Sequence, residues 1–316
     1  MNDPAPACRL CGSTASRPYL ARVYAIGGQS YDLRQCRDCR LVFVHPFPQV
    51  ETLRGLYSEN YFHSDFACGI RAGSYLETER SRVEEYREIL QEIQRRKPRG
   101  RLLEVGCAAG SFLNYARRAG FEVTGVDIST WAARTGQEQF GLDIRAGRLQ
   151  EVKLPDRRFD VVFLGDLLEH EPEPVTFLQE VFRMLTDDGL VVIKVPVYVN
   201  SFYYLLFRRL PWQWTLGKLD HRLLQALKIH QDEVRLPPYH LFEFSPRTLA
   251  RLCRRAGLKI VARQNSLLIP EFLSRHPKGW SEKLVLRGFR LLKFLVATFN
   301  VHGGHVMVLA VKEAAA

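Results

Sequence analysis

Leu102-Leu103-Glu104-Val105-Gly106-Cys107-Ala108-Ala109-Gly110-Ser111-Phe112-Leu113 is the stretch from which the rest of the chain can be read. The apolar run from Leu102 to Val105 reads as a short buried strand. Two glycines break it, and Phe112, Leu113, Tyr115 and Ala116 then open a helical period. A strand, a turn of small residues and a helix let backbone approach a ligand closely at a helix N-terminus. A second strand, Phe121 to Val126, ends in Asp127, 21 residues after Gly106. An acid at that distance reaches ribose hydroxyls in a nucleotide-binding βαβ unit.

Downstream the alternation continues. A helix from Trp131 to Phe140 ends near Gly141, and a short strand at Leu142-Asp-Ile-Arg leads to Gly147-Arg148-Leu149. Phe159 to Leu164 is a strand that ends in Gly165-Asp166. Val175 to Leu185 is a helix stopped by Asp187-Asp188-Gly189, and Leu190 to Val195 is a strand closed by Pro196. Repeated βα units with continuous apolar strands imply an α/β fold, its mostly parallel sheet covered on both faces. Gly106, Asp127, Gly147 and Gly165-Asp166 then share the carboxyl ends of the strands, where such sheets bind ligands. Upstream, residues 76–97 read as a lead-in helix with Leu76, Val83, Leu90 and Ile93 near one stripe. Near the C-terminus, Ser245 caps a helix with Pro246 at its first position and Gly257 beyond its end. Leu258 to Ala262 and His305 to Val311 read as strands.

Two cofactors compete for the glycine loop. A dinucleotide fingerprint wants G-x-G-x-x-G, but Ala108 and Ser111 stand at its second and third glycine positions. The spacing E-x-G-x-x-x-G of Glu104, Gly106 and Gly110 resembles motif I of the class I S-adenosylmethionine-dependent methyltransferases, which more often carry Gly where Ala108 stands. Phe159-Asp160-Val161-Val162 through Asp166-Leu-Leu-Glu169-His170-Glu-Pro172 resembles the fourth-strand segment of the same family. The resemblance covers roughly 101–195 and implies a Rossmann-like sheet with its last strand antiparallel. It further implies that Glu104, Gly106, Cys107, Ala108, Gly110 and Ser111 form the loop at the methionine end of the cofactor. Asp127 would take the ribose, Ile128 would pack on adenine, and Arg148 and Leu149 would edge the base. Gly165, Asp166 and Leu167 would run beside the methionine chain. His170 is the first candidate for a base that takes a proton from the acceptor, and His240 the second.

Residues 1–50 hold C-x2-C-x24-C-x2-C, built from Cys8, Cys11, Cys36 and Cys39. Paired C-x-x-C turns point four thiolates at one centre, the ligand set of a structural Zn2+. A dithiol redox pair would need one C-x-x-C at a helix start in a βαβ unit, and that context is missing. About 50 residues cannot bury much core, so the metal is expected to substitute for one. Arg9, Arg34, Arg37 and Arg40 are close enough in sequence to offset the thiolate charge. With this element the chain resembles zinc-ribbon methyltransferases, its ribbon being similar to that of sugar C-methyltransferases. The expected organisation is a zinc ribbon at 1–50, a connector and lead-in helix at 51–100, and a methyltransferase domain at 101–316. Cover insertions are expected at 196–239 and 264–300.

The net charge of +11 is uneven: residues 101–200 sum to −4 and residues 201–316 to +12. The basic third also holds an aromatic cluster, Phe202 to Trp214, and a segment at 280–299 in which Lys283, Arg287, Arg290 and Lys293 form a stripe beside a wide apolar face. That segment is too charged to span a bilayer but suits a membrane interface, a dimer contact or a pocket wall. The pattern favours a small-molecule, sugar or lipid-linked anionic acceptor. An RNA methyltransferase would use the ribbon and the basic surface, but no base-stacking module is recognisable. A non-catalytic S-adenosylmethionine-binding protein is the third class, and the intact Asp127 and fourth-strand segment speak against it. With neither a signal peptide at the start nor a long apolar run, the expected location is cytoplasmic, peripheral at the inner face of the membrane if 280–299 docks there.

Overall fold

The computed structural model describes residues 7–26, 28–56, 82–197, 199, 240–266, 280–299 and 303–313. The connector 57–81, the aromatic cluster from Phe202 to Trp214 and segment 267–279 lie outside the described residues.

The organising strand is β4 (Gly100–Val105), an interior strand of a seven-stranded sheet. The other strands are β5 (Phe121–Asp127), β6 (Ile144–Ala146), β7 (Phe159–Gly165), β8 (Leu185–Pro196), β10 (Leu258–Ser266) and β11 (His305–Lys312), in the order β10-β11-β8-β7-β4-β5-β6. β4 pairs in parallel with both β5 and β7, and β7 with β8. β11 runs antiparallel to both β8 and β10, as expected for the last strand. The chain winds from β4 outward to β6, then returns to β7 on the other side of β4. That reversal opens a crevice at the carboxyl ends of β4 and β7.

The continuous apolar runs are explained by two cores, one on each face. Leu103, Val105, Val162, Leu164, Val191 and Ile193 face one of them. Leu102, Val161, Phe163, Leu190 and Val192 face the other. The first core is closed by α5 (Pro174–Met184) and α6 (Pro246–Arg255), the second by α2 (Val83–Gln94) and α3 (Ser111–Arg118). α4 (Thr130–Phe140) connects β5 to β6; its cap Ser129 accepts from Ala132 N at 3.3 Å. The Ser245 cap of α6 is present as a capping box with Thr248.

The structure corrects several readings. α2 begins at Val83, which is exposed and so is not on the buried stripe formed by Tyr86, Ile89, Leu90 and Ile93. β6 starts at Ile144, two residues later than expected, where its pairing with Gly125 begins; Asp143 O accepts from Gly125 N at 2.8 Å. Asp187-Asp188-Gly189 does not separate helix from strand but lies inside β8, where pairing with β7 steps from Leu185 to Leu190.

The N-terminal unit is a second sheet, β1-β2-β3-β9. β1 (Ser16–Ile26), β2 (Gln29–Cys36) and β3 (Val42–His45) belong to the ribbon, whereas β9 (Phe242–Glu243) comes from just before α6. Leu10, Leu33, Leu41, Val42 and Val44 are fully buried in the same core cluster as Leu241, Phe242 and Phe244. Each such side chain contributes about 1.5–3 kcal/mol. The ribbon therefore has a core after all, shared with the larger sheet. α1 (Val50–Leu56) follows it, and α7 (Trp280–Phe299) connects β10 to β11.

Candidate functional site

The loop after β4 is held in a conformation that suits small residues. Gly106, Ala108 and Gly110 all have positive φ, at 74°, 47° and 75°. A Cβ on Gly106 would sit 2.9 Å from Leu167 Cδ1, and one on Gly110 would sit 2.6 Å from Leu142 Cδ1. Both positions thus exclude a side chain by conformation and by space. Ala108 adopts the left-handed form without that freedom, a strained choice for a residue with a Cβ.

Asp127 explains the shape. It is buried at the end of β5, where Oδ2 accepts from Ala108 N at 2.7 Å and Oδ1 from Ser129 N at 2.9 Å. Burial pushes its carboxyl up to about 6, and the two backbone donors hold it from rising further. One carboxylate therefore fixes both the glycine loop and the start of α4, and each oxygen keeps a second lone pair. Val126 O accepts from Gly106 N at 2.8 Å and Cys107 N at 3.3 Å, completing the attachment of the loop to β5.

The other expected cofactor residues fall around this loop unequally. Ser111 opens α3, and Glu104 is buried near the end of β4. Ile128 is 41% exposed beside Asp127, a large apolar face turned outward. The Cys107 side chain is buried, with Sγ in the space a Cβ on Gly125 would take. Leu149 is likewise packed into the core. Arg148 sends its guanidinium to within 3.7 Å of Glu171 Oε2, and burial raises the Glu171 carboxyl against that attraction.

The crevice wall after β7 carries a network that the sequence reading reached only through Asp166. Lys194 Nζ lies 2.7 Å from both Asp166 Oδ2 and Glu85 Oε1. Arg82 reaches Glu85 Oε2 at 2.7 Å and Asp166 Oδ2 at 3.1 Å, and His305 Nε2 stands 3.7 Å from Asp166 Oδ1. Burial opposes charge on Asp166, but Lys194, His305 and Arg82 together outweigh it and hold the carboxyl well below the usual range. Glu85 is likewise lowered to about 2, burial being overcome by Lys194 and Arg82. Burial, then Lys194, keep His305 neutral, with a pKa lowered to about 3. Lys194, in the apolar run Val-Val-Ile-Lys-Val-Pro, was the one visible signal of this network.

His170 and His240 meet, although 70 residues separate them: their rings stand edge to face with centroids 5.0 Å apart. His170 sits on a 3-10 turn, Leu168–His170, directly after the crevice. The backbone of Leu241 binds Glu169 O at 2.9 Å and gives its own carbonyl to Val44 N of the ribbon at 3.0 Å. Each imidazole faces a buried carboxylate, His170 Nε2 at 3.7 Å from Glu169 Oε1 and His240 Nδ1 at 3.6 Å from Glu243 Oε1. On this tight turn Glu169 and His170 face each other although they are neighbours in sequence. Glu169, His170 and His240 each offer a donor atom within 4.8 Å of the others.

Cys8, Cys11, Cys36 and Cys39 converge as expected, all four sulfurs within 4.8 Å and none in a disulfide. Cys8 Sγ is 3.5 Å from Cys39 Sγ, and Cys11 Sγ is 3.6 Å from Cys36 Sγ. A zinc–thiolate tetrahedron with bonds of about 2.3 Å has edges of roughly 3.8 Å, so the donor set fits Zn2+. Two of the four arginines are engaged otherwise: Arg9 pairs with Glu173 and stacks over Phe47, and Arg34 Nε donates to Ser16 Oγ at 2.9 Å.

A family model described as a methyltransferase domain matches residues 76–263, more than half of the chain. A ubiquinone biosynthesis O-methyltransferase of Cereibacter sphaeroides is 33% identical over 196 residues, 59% of this chain and 68% of that protein. A protein of the same name from Maricaulis maris is 31% identical over 140 residues, 42% of this chain and 54% of its own length. The chain spans about half the length of the curated relatives it matches. Among solved structures, a SAM-dependent methyltransferase of Archaeoglobus fulgidus is 21% identical with a TM-score of 0.47, over 75% of this chain and 99% of that one. The matched residues 76–263 include the glycine loop, Asp127 and the paired histidines, and by that match the chain belongs to the methyltransferase-domain family.

Proposed function

We propose that this chain transfers a methyl group from S-adenosylmethionine to a hydroxyl of a small acceptor that is anionic and partly apolar, with a lipid-linked compound as the finer choice and a sugar as the other. The observation that carries the reading is the crevice: the Gly106–Gly110 loop and Asp127 stand on one side of β4, and the segment Asp166–His170 on the other. The relatives named for ubiquinone biosynthesis are O-methyltransferases, which supports oxygen as the accepting atom. S-adenosylmethionine, when bound, supplies an electrophilic methyl group on a sulfonium. Backbone at Gly106–Gly110 and the start of α3 at Ser111 would hold its methionine end, and Asp127 would accept from its ribose hydroxyls. Ile128 offers a face for adenine, and Arg148 would edge the base with Leu149 behind it in the core. Gly165, Asp166 and Leu167 wall the far side.

The acceptor hydroxyl must lose its proton as the new bond forms. We assign that role to His170, with His240 as the second candidate, each facing a buried carboxylate. Positioning supplies most of the remaining rate, because a direct displacement depends on alignment. Zn2+ in the four-cysteine cluster is proposed as a structural ion, distant in role from the chemistry. The test is transfer of labelled methyl from S-adenosylmethionine to phenolic and lipid-linked hydroxyl compounds. His170→Gln should lower kcat by roughly 10²–10⁴-fold with cofactor affinity unchanged and remove the acidic limb of the pH–rate profile, where protonation of the base shuts off the wild type. Full activity in that variant would reject His170 as the base. Absence of transfer to every hydroxyl acceptor, with transfer to RNA, would replace the small-molecule reading.

A further inference from the structure

The helix α7 (Trp280–Phe299) presents large apolar side chains to solvent as well as to the protein. Among its described side chains Leu286 and Val296 are buried, and the helix lies against β10. On the opposite side Trp280 is 80% exposed, Leu291 60%, Phe294 63% and Phe299 67%, with Leu284 and Leu295 between them. At 3.6 residues per turn, positions 280, 284, 291 and 295 fall in one line, and 294 lies beside it. Over 20 residues this makes a stripe about 30 Å long. An apolar surface of that extent marks a contact site.

The charge beside the stripe says what kind of contact. Lys283, Arg287 and Arg290 border it on one side, and Lys293 follows one turn on; all four are exposed. Glu282 is the one acid in the helix sequence. An outward apolar face flanked by a basic one is the pattern of a helix that lies in the plane of a bilayer interface. Trp280 at one end and Phe299 at the other suit the headgroup boundary, where amphipathic aromatics collect. None of the described helices, α7 included, is long and apolar enough to cross a membrane. A second copy of the chain is the poorer occupant. A two-fold contact sets a patch against itself, and here would bring four cations against four.

We infer that α7 docks this protein on an anionic phospholipid surface, with the apolar stripe inserted and the basic flank on the headgroups. This stands independently of the acceptor's identity, and cofactor binding measured in parallel keeps the two readings apart. The full chain should co-sediment with phosphatidylglycerol-containing vesicles and not with phosphatidylcholine vesicles, and the binding should weaken as salt is raised. Two variants test the two halves of the surface: Arg287→Glu with Arg290→Glu, and Leu291→Glu with Phe294→Glu. Each should reduce partitioning more than about tenfold, with melting temperature and S-adenosylhomocysteine affinity unchanged. The vesicle-induced blue shift of tryptophan emission should shrink in Trp280→Phe. Equal binding to neutral and anionic vesicles, or binding to neither, would overturn the inference. So would a lipid-free dimer that Leu291→Glu with Phe294→Glu dissociates, because the stripe would then belong to a second copy.

Discussion

Lys194 is the residue on which the crevice wall most depends. Its side chain is almost wholly buried between Asp166 and Glu85, with Arg82 as a second cation. Lys194→Met should destabilise the fold by about 3 kcal/mol, the lower end for a broken buried pair because Arg82 remains. Denaturant unfolding measures this, and Glu85→Gln in the same background should recover part of it. His305 makes the same wall sensitive to pH. A histidine lowered in the fold from 6.5 to about 3 stabilises fully above 6.5, and that stability is lost as pH falls toward 3. At pH 5 the loss is roughly 2 kcal/mol, from about 1.5 pH units at 1.36 kcal/mol each. Glu85 and Asp166 act in the same direction but lower, below about pH 4.5, because their carboxyls are depressed. Melting temperatures between pH 7 and 5 should therefore fall less in His305→Gln than in the wild type. A parallel fall in both would remove His305 from the account. None of this was legible in the sequence except the lone Lys194. Glu85 looked like any acid of the lead-in helix expected at 76–97, and long-range pairing leaves no local periodicity.

At the scale of elements, strands buried on both faces were the easiest to read. β4, β5 and β7 lie within a residue or two of the apolar runs, because a parallel sheet covered on both sides requires such runs. β1 and β9 were missed for opposite reasons. β1 is long, but Pro18, Arg22 with φ of 49° and two register shifts destroy the alternation that marks a strand. β9 has two residues and exists because β3 offers it an edge. That pairing changes what zinc removal should do. The ribbon shares its core with Phe242 and Phe244, and Leu241 bridges Val44 and Glu169. Cys8→Ser should lower zinc content from about one per chain and lower the melting temperature of the whole chain, as expected when metal binding is linked to folding. It should also lower kcat, because His240 precedes the strand that the ribbon holds. Full zinc content and unchanged melting in Cys8→Ser would contradict the four-thiolate site.

Across the whole molecule the charge is divided by role. The acidic middle, at −4, carries the cofactor crevice, and the last third, at +12, carries α7. The candidate cofactor site was legible because its parts lie at strand ends, and strand ends are read from apolar runs. The meeting of His170 with His240 was not, since it depends on the ribbon holding β9 beside the turn after β7. The central claim is that the loop after β4 and Asp127 bind S-adenosylmethionine, and calorimetry with S-adenosylhomocysteine tests it most directly. Wild-type protein should bind, and Asp127→Ala should bind more weakly by roughly 1.5–3 kcal/mol, the range for a hydrogen bond to a charged group. Wild-type affinity should also weaken as pH falls through about 6, where Asp127 takes up its proton, and the variant should lack that dependence. Equal affinity in wild type and variant, or tighter binding of a nicotinamide dinucleotide, would contradict it.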